Sequence, residues 1–142
     1  MEEYLKRIAE SLERAFPLDP DNHFFEKADA FIWEPAQNHF SQVNDISTAD
    51  ISLLKGMDVE IKQVRLNTEA FIRGKLANNV LVWGARGMGK STLIKSVVKV
   101  ASSKSKNLKI IEVTRDDIGK IDRLLKLLQN INKKFIIFCD DI

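Results

Sequence analysis

The sequence predicts an α/β fold in which helices cover both faces of a parallel sheet. Three short apolar runs, at 80–83, 109–113 and 135–139, alternate with amphipathic helical stretches. Continuously apolar strands are typical of parallel sheets that are buried on both faces. A glycine-rich turn joins the first run to the helix that follows it, as expected of a strand–turn–helix unit. We therefore expect three α/β/α layers, preceded by a helical N-terminal segment.

The first 50 residues carry a different pattern. A helix is predicted over 2–16, because its apolar residues recur at helical spacing, and Pro17 and Pro20 end it. Residues 22–50 follow no clear period, and we expect their aromatic clusters to pack onto a neighbouring surface. We therefore divide the chain into a helix plus an irregular aromatic segment at 1–50, and a second part at 51–142.

Helices are also predicted in the second part. Ser47 and Asp50 are placed to cap a short helix, and a longer helix is predicted over 58–73 with Gly74 as its C-terminal cap. Two more helices follow the glycine-rich turn and the second apolar run. Their inward residues are expected to be Leu93, Ile94, Val97, Val98 and Ala101 in the first, and Ile118, Ile121, Leu124, Leu125 and Leu128 in the second.

Composition excludes several classes of protein. Apolar residues make up 44% of the chain and charged residues 30%, which is typical of a folded domain. No apolar stretch is long enough to cross a bilayer, and a net charge of +2 without a basic run gives no support for nucleic-acid binding. The single cysteine, Cys139, cannot form an internal disulfide and is best interpreted as a small core residue, so we expect a cytoplasmic location.

The glycine-rich turn carries the strongest functional signal. It reads Gly84-Ala85-Arg86-Gly87-Met88-Gly89-Lys90-Ser91 and matches the phosphate-binding pattern G-x-x-x-x-G-K-[ST] at every defined position. Glycines let the backbone wrap a phosphate closely, and the loop amides converge on its oxygens at the positive end of a helix. We expect Lys90 to contact the β- and γ-phosphates, Ser91 to bind Mg²⁺ and Thr92 to extend the cradle. Arg86 either reaches a phosphate or a neighbouring chain, or is a surface charge.

A pair of aspartates at the end of the third run supplies the second half of the predicted site. Asp140 and Asp141 follow a buried parallel strand, and ligands of α/β folds lie at the carboxyl ends of such strands. We expect Asp140 to hold Mg²⁺ through water, and Asp141 to orient or deprotonate the attacking water. The alternative is that the two aspartates simply begin a loop.

A GTPase is the first alternative for the class of enzyme. Asp116 and Gly119 have the spacing D-x-x-G, but Asp116 and Asp117 also stand where they would cap the helix beginning near Ile118. The guanine-reading sequence N-K-x-D is absent. We therefore favour helix capping and ATP.

The sequence resembles the AAA-type P-loop ATPases, and most closely an uncharacterised bacterial family of predicted ATP-binding proteins within them. The runs that carry this resemblance are LKGMD at 54–58, NTEAF at 67–71, ANNVLVWGARGMGKS at 77–91 and FCDD at 138–141. The resemblance implies a P-loop NTPase fold, with 51–142 as the N-terminal half of the ATP-binding domain. It also implies that Leu54 and Gly56 line an adenine pocket. The relatives usually have glutamate where this chain has Asp141, and we expect the shorter aspartate side chain to position water less well.

The resemblance further implies strands, a helical lid and an arginine finger beyond residue 142, so we expect the sequence to be truncated after Asp140 and Asp141. Without an inserted strand, the 80–83 strand would lack a neighbour, unless the three strands pair directly. Three hypotheses remain: an ATPase, oligomeric in its full-length form, that remodels a protein partner; an ATP-binding switch or loader with little turnover; and a non-enzymatic remnant. We expect the fragment alone to be inactive or weakly active.

Overall fold

The computed structural model describes residues 1–16, 18–44, 46, 51–85, 87 and 89–141. Within them the chain forms four α-helices and four strands, joined in places by short 3₁₀ segments. The helices are α1 (Glu2–Ala15), α2 (Asp58–Ile72), α3 (Lys90–Lys104) and α4 (Ile121–Leu128). The strands are β1 (Ala30–Glu34), β2 (His39–Val43), β3 (Leu108–Val113) and β4 (Lys134–Cys139).

The strands form one sheet in the order β2–β1–β3–β4. β1 and β2 are an antiparallel hairpin, whereas β1, β3 and β4 run parallel to one another. The register places Ala30 beside Ile110, and Ile110 beside Ile136. The predicted α/β fold is therefore confirmed as an N-terminal helix followed by a mostly parallel sheet flanked by helices. The parallel strands end at one common edge, where α/β folds bind their ligands.

The sheet has a separate core on each face. Alternate residues of β3 point to opposite faces, and Ile111 packs with α4 while Ile110 packs with α3. The α4 side is dominated by aromatic rings, and its buried members include Phe25, Phe31, Trp33, Phe40 and Leu124. On the other side, α2 packs against α3 through a third cluster formed by Val64, Leu93 and Val97. The β3 and β4 strands were both predicted, to within one residue.

The interpretation of 22–50 as irregular is wrong over 30–43, where β1 and β2 lie. Three of the five residues in β1 are buried, on both faces, so the strand shows no apolar–polar alternation. Its link to β2 is a 3₁₀ turn that ends at Asn38 with φ 49°, instead of a recognisable two-residue hairpin turn. The expected packing of the aromatic clusters is confirmed: the ring of Phe25 lies 5.0 Å from that of Phe31 and 4.9 Å from that of Phe135.

The strand predicted at 80–83 is absent from the structure. The side chains of Leu81 and Trp83 are 73% and 86% exposed. The segment after α2 is held to that helix by two hydrogen bonds, of 2.7 and 2.9 Å, between the side chain of Asn67 and the backbone of Asn78. A strand needs a partner edge for its backbone groups, and β1 occupies the edge of β3 that faces away from β4. Direct pairing of all three predicted strands is therefore wrong.

The helices agree with the prediction except in detail. Gly74, with φ 70°, ends α2 in a Schellman motif, because the Lys75 amide donates to Ala70 and the Gly74 amide to Phe71. In α4, Leu124 and Leu128 are buried as predicted, but Leu125 faces outward and is half exposed. The predicted cap at Ser47 and Asp50 lies outside the described residues.

α1 has the predicted span, yet none of its residues is buried. None of the helices in the described ranges is long and apolar enough to cross a membrane.

Candidate functional site

The glycine-rich loop leads directly into α3, and Gly89 is the N-cap residue immediately before the helix. Gly89 has φ 84°, a left-handed conformation that costs residues with a Cβ about 1–2 kcal/mol. A Cβ at this position would also lie 2.7 Å from Leu54 Cδ2. Glycine at position 89 therefore serves two purposes, because it permits the turn and allows the segment before α2 to pack against the loop.

Lys90, the first residue of α3, turns its side chain back over the loop. Its Nζ atom donates hydrogen bonds of 2.8 Å to the carbonyl oxygen of Gly84 and 2.7 Å to that of Ala85. The ammonium group thus links the first two residues of the loop to the start of α3. An anion entering the loop would meet this charge and would compete with two carbonyl oxygens for its protons.

Ser91 and Asp140 meet across 49 residues of sequence. The Ser91 hydroxyl donates a hydrogen bond of 2.5 Å to Asp140 Oδ2. α3 positions the serine in its first turn, and β4 positions the aspartate immediately after its last residue. The structure therefore brings together the loop and the strand end that the sequence analysis assigned to one site.

The second oxygen of Asp140 also has a partner. The backbone amide of Asp141 donates to Asp140 Oδ1 at 3.0 Å. Asp141 has φ 53°, a conformation that aspartate tolerates better than most residues. These two contacts fix the orientation of the Asp140 carboxylate beside Ser91, while each carboxylate oxygen keeps a free lone pair.

The donor set fits Mg²⁺ better than it fits a softer metal. A hydroxyl and a carboxylate are both hard oxygen ligands, and Mg²⁺ usually keeps several waters and takes one or two protein groups together with phosphate oxygens. In the part of the chain that the structure describes, no three His, Cys, Asp or Glu side chains gather into a metal site of their own. Ser91 and Asp140 could therefore hold Mg²⁺ only together with a ligand and water.

The segment at 54–58 lies against the loop. Leu54 is half-buried and contacts Gly89, as expected if it lines the site, and the Sδ atom of Met57 would lie 3.8 Å from a Cβ at Gly89. The sequence analysis did not single out Met57, although the run LKGMD contained it. Gly56 is exposed, with open space where its Cβ would be. Thr92 is half-buried in the first turn of α3.

Gly84 and Gly87 have φ 151° and 77° in the loop, and Ala85 is exposed. The two remaining loop predictions, Arg86 and Met88, lie outside the described residues.

A model of the protein family described as "Protein of unknown function (DUF815)" matches residues 26–142. The chain belongs to this family. No match was found among curated proteins or among solved structures. The family match covers both the loop and the Asp140 end of β4, so the two halves of the candidate site are part of the DUF815 domain.

In this DUF815 domain Asp117 is engaged locally. It accepts hydrogen bonds from Lys120 Nζ at 2.8 Å and from Thr114 Oγ1 at 2.9 Å. These contacts hold the pKa of the half-buried Asp117 carboxyl below its ordinary value, and the hydrogen bond from Lys120 has the larger effect. Asp116 and Asp117 lie in the first turn of the 3₁₀ segment Arg115–Lys120. The predicted helix capping by these two aspartates is wrong: they lie in a 3₁₀ turn ahead of α4, which begins only at Ile121, and no side-chain cap bond to the helix backbone forms.

The thiol of Cys139 is half-buried beside the site. Burial raises its pKa, and the nearby carboxylates of Asp140 and Glu112 raise it further. The DUF815 chain thus keeps this cysteine protonated at neutral pH, which supports the interpretation of Cys139 as an unreactive packing residue.

Proposed function

We propose that this chain binds Mg·ATP in the loop at 84–91 and, as an AAA-type ATPase, hydrolyses it. The observation that carries the proposal is the contact between Ser91 and Asp140. Ser91 belongs to a complete phosphate-binding pattern. Asp140 directly follows β4, at the carboxyl edge of the sheet, where α/β folds bind their ligands. Their hydrogen bond supports the proposal because it brings two hard oxygen ligands close enough to bind one Mg²⁺ ion.

Each residue then has a specific role. The loop amides at 84–89 and the positive end of α3 would bind phosphate oxygens. Lys90 would exchange its carbonyl partners in the loop for the β- and γ-phosphates, and Ser91 and Asp140 would hold Mg²⁺. The metal, when bound, would neutralise phosphate charge. Asp141, next to Asp140, is the candidate for orienting water.

ATP is a better candidate than GTP for two reasons. The D-x-x-G spacing at Asp116 is explained by the local contacts of Asp117 with Thr114 and Lys120. Leu54 adds an apolar side chain next to the loop, where an adenine ring could pack. We further propose that nucleotide binding drives or gates a conformational change in a protein partner, that the protein is oligomeric in its full-length form, and that it works in the cytoplasm.

The second candidate function is an ATP-binding switch with little turnover. Two observations favour it. Asp140 and Asp141 are exposed, so the described residues provide little to exclude bulk water from the reacting phosphate. Asp141 also has a shorter side chain than the glutamate of the AAA-type relatives.

Binding is tested by titrating the full chain with a fluorescent ATP analogue, with Mg²⁺ and with EDTA. We expect Lys90→Ala to weaken binding by about tenfold or more, since a charge-assisted contact to phosphate is lost. Ser91→Ala should remove the Mg²⁺ dependence. Lys126→Ala, at an exposed lysine of α4, is the control and should bind like the wild type. Equal affinity of Lys90→Ala and Lys126→Ala would contradict the proposal.

Hydrolysis is tested separately, by phosphate release from ATP. Mg²⁺-dependent release that is lost in Asp141→Asn supports the ATPase. Tight ATP binding without release, in both the wild type and Asp141→Asn, selects the switch.

A further inference from the structure

The first two turns of α3 lie over the carboxyl ends of β3 and β4. Ser91, in the first turn, contacts Asp140, and Lys95, one turn further along the same face of the helix, contacts Glu112 of β3. The Lys95 Nζ atom lies 3.4 Å from Glu112 Oε2. A second carboxylate therefore faces α3 near the candidate nucleotide site, and it is paired with a lysine.

The sheet register shows how near this lysine lies to Asp140. Glu112 pairs with Phe138 across the two strands, and the Lys95 Nζ atom lies 5.5 Å from the centre of the Phe138 ring. Asp140 follows Phe138 by two residues, so it continues the same face of the strand, about 7 Å further on. Lys95 thus carries its positive charge close to the carboxylate proposed as a Mg²⁺ ligand.

A positive charge in this place opposes the binding of a metal ion. Like charges repel one another over such distances, and a lysine ammonium can also form an ion pair with a carboxylate directly. Lys95 is 29% exposed and packs over the buried ring of Phe138, so water screens its charge only in part. An unpaired Lys95 would therefore compete with Mg²⁺ for Asp140.

Glu112 provides this lysine with a different partner. Stability alone is a weak reason for the pair, because ion pairs between partly exposed side chains contribute little to the free energy of unfolding. The location of the pair is more informative. The Glu112 carboxylate offsets the charge of Lys95, and the face of the Phe138 ring attracts the same ammonium group.

We propose that Glu112 is a positioning residue of the Mg²⁺ site and acts through Lys95. By holding the Lys95 ammonium over Phe138 and neutralising its charge, Glu112 leaves the Asp140 carboxylate available to the metal. This inference rests on the proposed binding of Mg·ATP. It does not require hydrolysis, so it applies to the ATPase and to the switch alike.

The experiment measures the Mg²⁺ concentration at which binding of the fluorescent ATP analogue is half-maximal. Glu112→Gln keeps the shape of the side chain but removes its charge, and we expect the half-maximal Mg²⁺ concentration to rise about fivefold. Adding Lys95→Met to Glu112→Gln removes the competing charge and should restore the wild-type value to within about twofold. In Lys95→Met alone the value should fall below that of the wild type, because Glu112 is then an unpaired negative charge.

Glu26→Gln is the matched control. Glu26 lies 3.7 Å from Lys133 at the amino edge of the sheet, where the parallel strands begin, and the loss of this pair should leave the Mg²⁺ requirement unchanged. Lys95→Met alone is sufficient if Glu112→Gln does not fold, since a raised Mg²⁺ requirement in it would show that the lysine assists the site.

The possible failures are distinguishable. If the wild type binds Mg·ATP, the inference is overturned by an unchanged Mg²⁺ requirement in Glu112→Gln, or by a raised one that Lys95→Met does not reverse. A wild type that binds no Mg·ATP overturns the proposed function itself, and this inference with it.

Discussion

At the scale of single residues, the candidate nucleotide site depends on positions that tolerate only one type of residue. Gly89 is such a position, because its φ is 84° and Leu54 closes the space that a Cβ would need. Gly119 provides a matched comparison. It lies in the 3₁₀ segment before α4, with nothing within 4 Å of an added Cβ.

We predict that Gly89→Ala destabilises the protein by about 1–2 kcal/mol, the usual cost of a left-handed residue with a Cβ, and weakens ATP binding. Gly119→Ala should leave both quantities nearly unchanged. Urea unfolding curves and the ATP titration measure the two effects. Equal behaviour of the two variants would show that the positive φ at Gly89 is not needed.

Cys139 leads to a prediction about pH. Its raised pKa means that the folded state disfavours the thiolate, first through burial and then through Asp140 and Glu112. The free energy of unfolding therefore has its full value at pH values below the pKa of the unfolded thiol. The contribution of Cys139 is lost as pH rises through the higher pKa of the folded thiol. We expect alkylation by iodoacetamide to become fast at a higher pH in the folded chain than in urea.

Asp140→Asn removes one of the charges that raise this pKa, so it should shift the alkylation profile toward lower pH. An unchanged profile in Asp140→Asn would leave burial and Glu112 as the causes of the raised pKa.

At the scale of elements, neighbouring residues of one helix have opposite roles. Leu124 of α4 is fully buried against the aromatic rings, whereas Leu125 is 49% exposed. We predict that Leu124→Ala costs about 2–5 kcal/mol of unfolding free energy, through lost burial and the cavity left behind. Leu125→Ala should stay within about 0.5 kcal/mol of the wild type. Urea unfolding of both variants tests this, and similar losses would contradict the described packing of α4.

α1 shows the limits of an amphipathic pattern. Tyr4, Leu5, Ile8 and Leu12 lie on one stripe, as the sequence predicts, and all are more than half exposed. A helix of this length is marginal in water without tertiary contacts. The stripe predicts the helix, but it does not identify the surface that the helix covers.

At the scale of the whole molecule, the two tryptophans lie in opposite environments, one buried and one exposed. Trp33 is fully buried in the aromatic core, and Trp83 is 86% exposed just before the loop. We predict that iodide quenches part of the fluorescence of the wild type and very little of that of Trp83→Phe. ATP should alter the fluorescence of Trp33→Phe, in which Trp83 adjoins the proposed site. Strong quenching of Trp83→Phe would contradict the burial of Trp33.

The distribution of charge is also a property of the whole fold. Lysines that are far apart in sequence, such as Lys27, Lys106 and Lys133, line one pocket at the amino edge. The net charge of +2 gave no sign of such a concentration. The sheet collects these residues because its parallel strands all begin at the same edge.

The sequence by itself determined the local features of this protein. Helix ends, two of the strands and the phosphate-binding pattern depend on side-chain period, glycine placement and short spacings, which act within a few residues. Only the tertiary structure decided the features that need a distant partner. It excluded 80–83 from the sheet and included β1, because a strand forms where another edge accepts its hydrogen bonds. It likewise brought Ser91 to within 2.5 Å of Asp140, since α3 and β4 are positioned by the core they share.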